Sequence, residues 1–159
     1  DGRDDLIIGA SGTNDEAGAA YLFAGGTAEA LHTSAVDANA TYLGQTAGDR
    51  IGDVFAHVGD LNGDGVLDLA FGAPENSGSD SRAGAVFVAR ATSSGTVTLD
   101  ETSTARIIGE KKDDESGTSI SGLGDIDDDG YDDMLVGAPF HDSAGPNTGA
   151  VYLLRGGSL

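Results

Sequence analysis

DLNGDGVLD at residues 60–68 recurs as DIDDDGYDD at 125–133, and the reading of this nine-residue stretch decides the fold. In the first copy acidic or amide side chains stand at positions one, three, five and nine, with glycine at six: Asp60, Asn62, Asp64, Asp68 and Gly65. Alternation at this spacing turns several hard oxygens toward one centre. Glycine admits a positive φ, so the seventh carbonyl can face the same point, and Ca²⁺ accepts six to eight such oxygens at about 2.3–2.6 Å. The stretch reads as a Ca²⁺ loop.

An EF-hand opens with the same spacing but needs a bidentate glutamate at position twelve and a helix after the loop. Position twelve here is Phe71 in one copy and Val136 in the other. Asp68 leads into LAFGAP and Asp133 into MLVGAP, short apolar runs halted by Gly and Pro, which read as strands. The loop therefore feeds a sheet. An acidic, solvated hairpin turn is the competing reading of one isolated copy, and two copies with the same flanks argue against it.

The flanks extend into a longer repeat. DGRDDLIIGAS at the start matches DGVLDLAFGAP from Asp64 and DGYDDMLVGAP from Asp129. AGAAYLFAGG from Ala17 matches AGAVFVARAT from Ala83 and TGAVYLLRGG from Thr148, and TYLG at 41–44 matches RIIG at 106–109. The period is about 65 residues. Each period holds four strand signals. The first precedes the loop (54–58, 119–123) and the second comes after it (6–9, 69–72, 134–137). The third is AAYLF, AVFVA or AVYLL, and the fourth is TYL or RII. Second and third strands are nearly unbroken apolar runs, which implies burial on both faces. Four-stranded sheets stacked face to face are propeller blades. Small residues in the first strand, such as Ala56, Gly117, Ser119, Ser121 and Gly122, suit a crowded innermost position. Ten strands are expected, with helices few or absent.

Composition agrees. The 159 residues include 26 Gly, 3 Pro, one Met and no Cys or Trp, as expected of an all-β chain with many turns. Twenty-seven acidic against 8 basic residues give a net charge of −19, which repels nucleic acid and anionic membrane surfaces. Two bound Ca²⁺ would bring this to about −15. Without Cys there is no disulfide framework and no thiol chemistry. No apolar run approaches a membrane span, DGRDD is no signal peptide, and an export signal would lie upstream. Loops of this kind fill most readily where calcium is millimolar, so an extracellular or cell-surface location is expected.

The arrangement resembles the FG-GAP repeat, the blade unit of the β-propeller at the head of integrin α subunits and of many bacterial secreted proteins. The resemblance covers essentially the whole chain. It is carried most specifically by GDLNGDGVLDLAFGAP at 59–74 and GDIDDDGYDDMLVGAP at 124–139. Where the family has its FG pair, this chain has Ile51-Gly52 and Ser116-Gly117. The resemblance implies a partial β-propeller of about two and a half four-stranded blades, with Ca²⁺ loops between first and second strands. Residues 1–50 would form a partial blade, 51–115 a complete one and 116–159 a second partial one. It further implies one Ca²⁺ site from Asp60, Asn62, Asp64, the Val66 carbonyl and Asp68. A second would use Asp125, Asp127, Asp129, the Tyr131 carbonyl and Asp133. A truncated half-loop would offer Asp1, the Arg3 carbonyl and Asp5.

Other residues carry less. His32, His57 and His141 share no ligand spacing and no common place in the repeat, and they read as structural or exposed histidines. GTSIS at 117–121 superficially resembles a nucleophile elbow, but Ser121 stands where that motif needs Gly. Asn39-Ala40-Thr41 fits a glycosylation acceptor in a eukaryotic source. No catalytic constellation emerges. The expected function is non-catalytic calcium-dependent adhesion or recognition of a protein or glycan ligand. The alternative is an accessory propeller of a secreted hydrolase, such as a phospholipase or a polysaccharide-degrading enzyme, whose catalytic residues lie elsewhere. In either case the open arc is expected to meet the remaining blades of a larger propeller or to self-associate.

Overall fold

The computed structural model describes residues 2–26, 34–78, 81–100, 105–143 and 145–158. Asp1 and His32 lie outside them. Among the described residues eleven strands form three sheets, and the one helical feature is a 3-10 turn at Ala35–Asp37. The first sheet contains β1 (Leu6–Gly9), β2 (Ala19–Phe23) and β3 (Ala40–Gly44), consecutive and antiparallel. The second contains β4 (Val54–Gly59), β5 (Asp68–Ala73), β6 (Ala85–Arg90) and β8 (Ala105–Ile108), also antiparallel. The third contains β9 (Ser119–Gly124), β10 (Asp133–Ala138) and β11 (Ala150–Leu154).

The remaining strand corrects the expected count of ten. β7 (Gly95–Leu99) leaves the second sheet between β6 and β8 and pairs in parallel with β3, becoming the fourth strand of the first sheet. GTVTL gives only two apolar residues, too weak a pattern to stand out. What selects it is tertiary: Leu99 is 1% exposed and packs with Val97 against the first core cluster. The excursion straps one sheet to its neighbour. Tyr42 tightens the strap, since its hydroxyl accepts from the Thr92 amide at 3.0 Å and lies 3.4 Å from the Arg90 carbonyl.

Alternation along each central strand divides its side chains between two cores. From the second sheet Leu69, Phe71, Ala85, Phe87 and Ala89 face Ala20, Leu22, Ala40 and Tyr42 of the first, with the Tyr42 and Phe71 rings 4.9 Å apart. On its other face Val58, Ala70, Val86 and Val88 meet Met134 and Val136 of the third, together with Ile120, Tyr152 and Leu154. Each large side chain buried this way contributes about 1.5–3 kcal/mol. Burial on both faces is complete in β5 and nearly so in β6. The end sheets have a neighbour on one side only, as an open arc of blades leaves them. Leu6 and Ile8 are 55% and 43% exposed at one end, and Val151 and Leu153 are 70% and 46% exposed at the other.

Neighbouring sheets touch through backbone as well. A Cβ on Gly9 would overlap the Gly52 carbonyl, and one on Gly72 would overlap that of Gly117, the same position one period later. β4 and β9 lie side by side, and a Cβ on Gly122 would stand only 2.9 Å from the Val58 Cα. The turns between sheets are pinned by buried polar pairs in equivalent places. Asn76 Nδ2 donates to both Asp49 oxygens at 2.9 Å, and His141 Nδ1 lies 2.8 Å from Asp114 Oδ2. All four residues are buried.

Burial raises the Asp49 carboxyl pKa, while bonds from Asn76 and Thr46 and the charge of Arg106 offset part of the rise. A raised carboxyl pKa means that the ionised form costs stability above the folded-state value, and that this cost is relieved as pH falls through it. Asp49→Asn removes the charge and keeps an oxygen toward Asn76. The variant should melt above the parent at neutral pH, and the gap should close as the pH is lowered through the folded-state pKa. Thermal melts across that range check this, and a gap that widens on acidification would contradict it.

Candidate metal centre

Residues 60–68 join β4 to β5, and residues 125–133 join β9 to β10, so both loops link the first and second strands of a sheet. Their opening carboxylates act as hubs. Asp60 Oδ1 accepts from the Gly63 and Asp64 amides at 2.8 and 3.1 Å, and its Oδ2 accepts from Gly65 at 2.8 Å. Asp125 repeats this with Asp129 at 3.1 Å and Gly130 at 2.9 Å. At position five, Asp64 Oδ1 accepts from Val66 at 2.9 Å and Asp129 Oδ1 from Tyr131 at 3.0 Å. At position nine, Asp68 Oδ2 accepts from Leu61 at 3.2 Å and Asp133 Oδ2 from Ile126 at 3.0 Å. Two stretches of different sequence thus fold into one loop, because the shared carboxylates tie down the amides that the turn leaves unpaired.

The structure brings Asp125, Asp127 and Asp133 together, with one oxygen of each within 4.8 Å of the others. In the first loop Asn62 turns its Nδ2 to Asp68 Oδ2 at 3.1 Å and its Oδ1 to the Asp64 amide at 2.9 Å. Asp68 is fully buried, and its Oδ1 has no hydrogen-bond partner among the described residues. The cause is local. Asp133 Oδ1 accepts from the Gly156 amide at 3.0 Å, whereas the equivalent Ala91 amide donates to the Leu67 carbonyl instead. Burial raises the Asp68 carboxyl pKa, the Leu61 amide opposes the rise, the charges of Asp64 and Asp60 add to it and Arg90 lowers it again. Among the described residues only Asp125, Asp127 and Asp133 meet this closely, but a buried, unpaired Asp68 oxygen that feels the charges of Asp64 and Asp60 is of the kind a hard cation takes, and Asn62 adds a further oxygen to the loop. The half-loop near the start keeps one of these contacts: Asp5 Oδ1 accepts from the Gly25 amide at 2.8 Å, the counterpart of Gly156. Arg3, the position whose carbonyl was expected to contribute, is exposed.

Three residues that touch the loops carry no mark in the sequence reading. Arg90 and Arg155 occupy the same place in the repeat, at the end of the third strand or just past it. Arg90 Nε lies 3.6 Å from Asp64 Oδ2, and Arg155 Nη1 lies 2.8 Å from Asp127 Oδ2. Their shared repeat position is the signal that could have found them. The third, Asp132, reaches from the second loop to the first, where its Oδ2 accepts from the Asp60 amide at 2.7 Å. No pattern in the sequence marks it. Of the histidines, His57 is exposed and His141 is engaged with Asp114.

Gly59, immediately before the first loop, has φ +80°, and a Cβ there would overlap the Asp132 carboxylate. Gly65 has φ +82° with open space where its Cβ would be. Gly65→Ala should therefore cost only the left-handed strain, about 1–2 kcal/mol. Gly59→Ala should cost clearly more, because it also displaces Asp132. Chemical denaturation of both variants measures the difference, and equal losses would mean that the Asp132 contact carries no energy.

The family model for the FG-GAP repeat matches residues 55–89 and 116–154, each match running from the first strand of a sheet through the loop to the third. Over 153 residues the chain is 33% identical to integrin alpha-4 of Xenopus laevis, covering 94% of this chain and 13% of that protein. Over 118 residues it is 36% identical to integrin alpha-PS5 of Drosophila melanogaster, covering 69% and 10% respectively. Integrin alpha-5 of Xenopus laevis is 31% identical over 150 residues, 87% of this chain and 13% of that protein. The chain thus spans only 10–13% of the length of these relatives.

Proposed function

The chain belongs to the FG-GAP repeat family and is an integrin-α-like propeller segment. From that premise we propose that it is a calcium-binding, non-catalytic module for adhesion or ligand recognition outside the cell. The observation that carries the calcium reading is the pair of equivalent carboxylate loops, one with the buried Asp68 Oδ1 unpaired. One ion would be held by Asp60, Asn62, Asp64, the Val66 carbonyl and Asp68. The other would be held by Asp125, Asp127, Asp129, the Tyr131 carbonyl and Asp133. Calcium is favoured over magnesium because a loop of mixed carboxylate, amide and carbonyl donors suits its variable coordination, while Mg²⁺ demands a tight octahedron. The ion neutralises carboxylates that otherwise repel one another, so binding and folding are linked. Its role is structural.

Recognition of a protein or glycan is inferred from the kinship with integrin α subunits. It is consistent with the strongly acidic composition, which disfavours nucleic acid and anionic membrane. No helix among the described residues is long and apolar enough to cross a membrane. We read the sheets as blades, a partial one at 1–50, a complete one at 51–115 and a partial one at 116–159, with β7 of the middle span crossing to the first sheet. The exposed apolar faces at Leu6 and Ile8 and at Val151 and Leu153 are where further blades, or other copies, would pack.

Calorimetry should show two Ca²⁺ bound per chain, and absence of calcium-dependent heat would refute the assignment. Asp64→Ala or Asp129→Ala should lower the melting temperature in millimolar Ca²⁺ and much less in chelator, since the lost contribution is ion linkage. Equal losses in both buffers would make these residues turn formers only. Light scattering on the isolated chain should show association, reduced by Val151→Lys combined with Leu153→Lys. A monomer that shows no association with or without these changes would contradict the role given to the open faces.

A further inference from the structure

The two loops are not separate. The Asp60 amide donates to Asp132 Oδ2 at 2.7 Å, and the Asp132 amide donates back to the Asp60 carbonyl at 3.1 Å. The Gly157 amide donates to the Leu61 carbonyl at 2.7 Å. The Tyr131 ring lies close against Gly63, where an added Cβ would approach a ring carbon to 2.5 Å. Residues 59–63, which open the first loop, therefore rest on residues 131–132 and 156–157 of the next sheet. Asp60 is the hub whose two oxygens gather the Gly63, Asp64 and Gly65 amides, so whatever places its backbone places the loop. Asp132 stands between Tyr131 and Asp133, two expected ligands of the second loop. Its own repeat equivalent in the first loop is Leu67, which is 50% exposed and offers no carboxylate.

We propose that Asp132, itself not a ligand, is a positioning residue that builds the cation site of the neighbouring sheet, so that filling loop 125–133 raises the affinity of loop 60–68. The inference rests on the calcium reading above. An ion in the second loop would fix Tyr131 and Asp133 on either side of Asp132. The carboxylate is then held where it meets the Asp60 amide, and part of the ordering that the first loop must undergo is already complete. Coupling of this kind is reciprocal, so each ion raises the affinity for the other, by about tenfold on the usual scale of such effects.

The deciding experiment is calorimetric titration of Ca²⁺ into the chelator-stripped chain and its variants, with melts in chelator reporting their folded state. The parent should bind two ions with positive cooperativity. Asp129→Asn, which weakens the second loop, should lower the affinity of the remaining first-loop site by about tenfold. Asp132→Ala should abolish cooperativity and weaken one of the two sites while the second loop keeps all its ligands. Asp132→Asn should restore most of the coupling, because its amide oxygen can still accept from Asp60. Two ions bound independently by the parent, or an Asp129→Asn variant whose remaining site keeps its full affinity, would overturn the proposal and leave the calcium assignment standing. No binding by the parent would overturn both. If Asp132→Ala does not fold, Asp129→Asn decides the question alone.

Discussion

A sheet that is apolar on both faces cannot be covered from one side, and this constraint governs the rest of the molecule. In the middle sheet Phe71 and Phe87 point one way and Ala70, Val86 and Val88 the other, and each set is buried only because another sheet lies against it. Close packing of twisted sheets requires backbones to meet where strands converge. That is where Gly9 meets Gly52 and Gly72 meets Gly117. Much of the glycine content is thus a consequence of stacking, in which each repeat is stabilised chiefly by its neighbours.

The two junctions keep one geometry while exchanging chemistry. Asp49 is met by the amide of Asn76, and one period later Asp114 is met by the imidazole of His141. Glu16 faces Arg50 at the first junction, and at the second the signs are reversed, with Arg82 facing Glu115. All four of these residues have left-handed backbone, and in each pair the second residue's amide donates to the carbonyl of the first. Surface ion pairs contribute little stability, about 0–1 kcal/mol. Their value lies in discrimination. Setting Glu16 against Glu115, or Arg82 against Arg50, would bring like charges together, so the pairs favour one order of sheets among near-identical alternatives.

The strands and loops were legible because the repeat reports each element two or three times, and because apolar runs between Gly-rich turns leave little choice of structure. β2, β3, β6, β8 and β11 lie where the third and fourth strand signals place them. The carboxylate loops were legible on other grounds: their spacing is set by a turn that the side chains themselves stabilise, so sequence and local geometry are nearly the same statement. β7 was not legible, since Thr96, Val97 and Thr98 become a strand only when β3 offers an edge from the neighbouring sheet. The exposure of Leu6, Ile8, Val151 and Leu153 follows from the strand count rather than from the runs themselves, since an open arc of blades leaves its end faces uncovered. Asp132 is as hidden as β7, as its partner lies 72 residues away and is invisible to any local pattern.

These long-range contacts change what the loops are. A turn stabilised only by its own side chains would be a separable unit, and its loss would leave the stacking intact. Here the turn that opens the first loop is also the edge of a sheet junction. Gly59 leaves the space that Asp132 fills, and Leu61, 1% exposed, is buried in the second core while its carbonyl accepts from Gly157. The loop therefore borrows order from the core beneath it and from the sheet beside it. Charge acts in the opposite direction: Asp60, Asp64 and Asp68 crowd one loop, next to Asp132 of the other, in a chain of net charge −19. Packing holds the carboxylates together and repulsion drives them apart. Arg90 and Arg155 offset part of that repulsion from positions more than half exposed, where a guanidinium is well screened. A divalent cation seated among the carboxylates would act at the source. It would thereby reinforce the loop and the contact between sheets together.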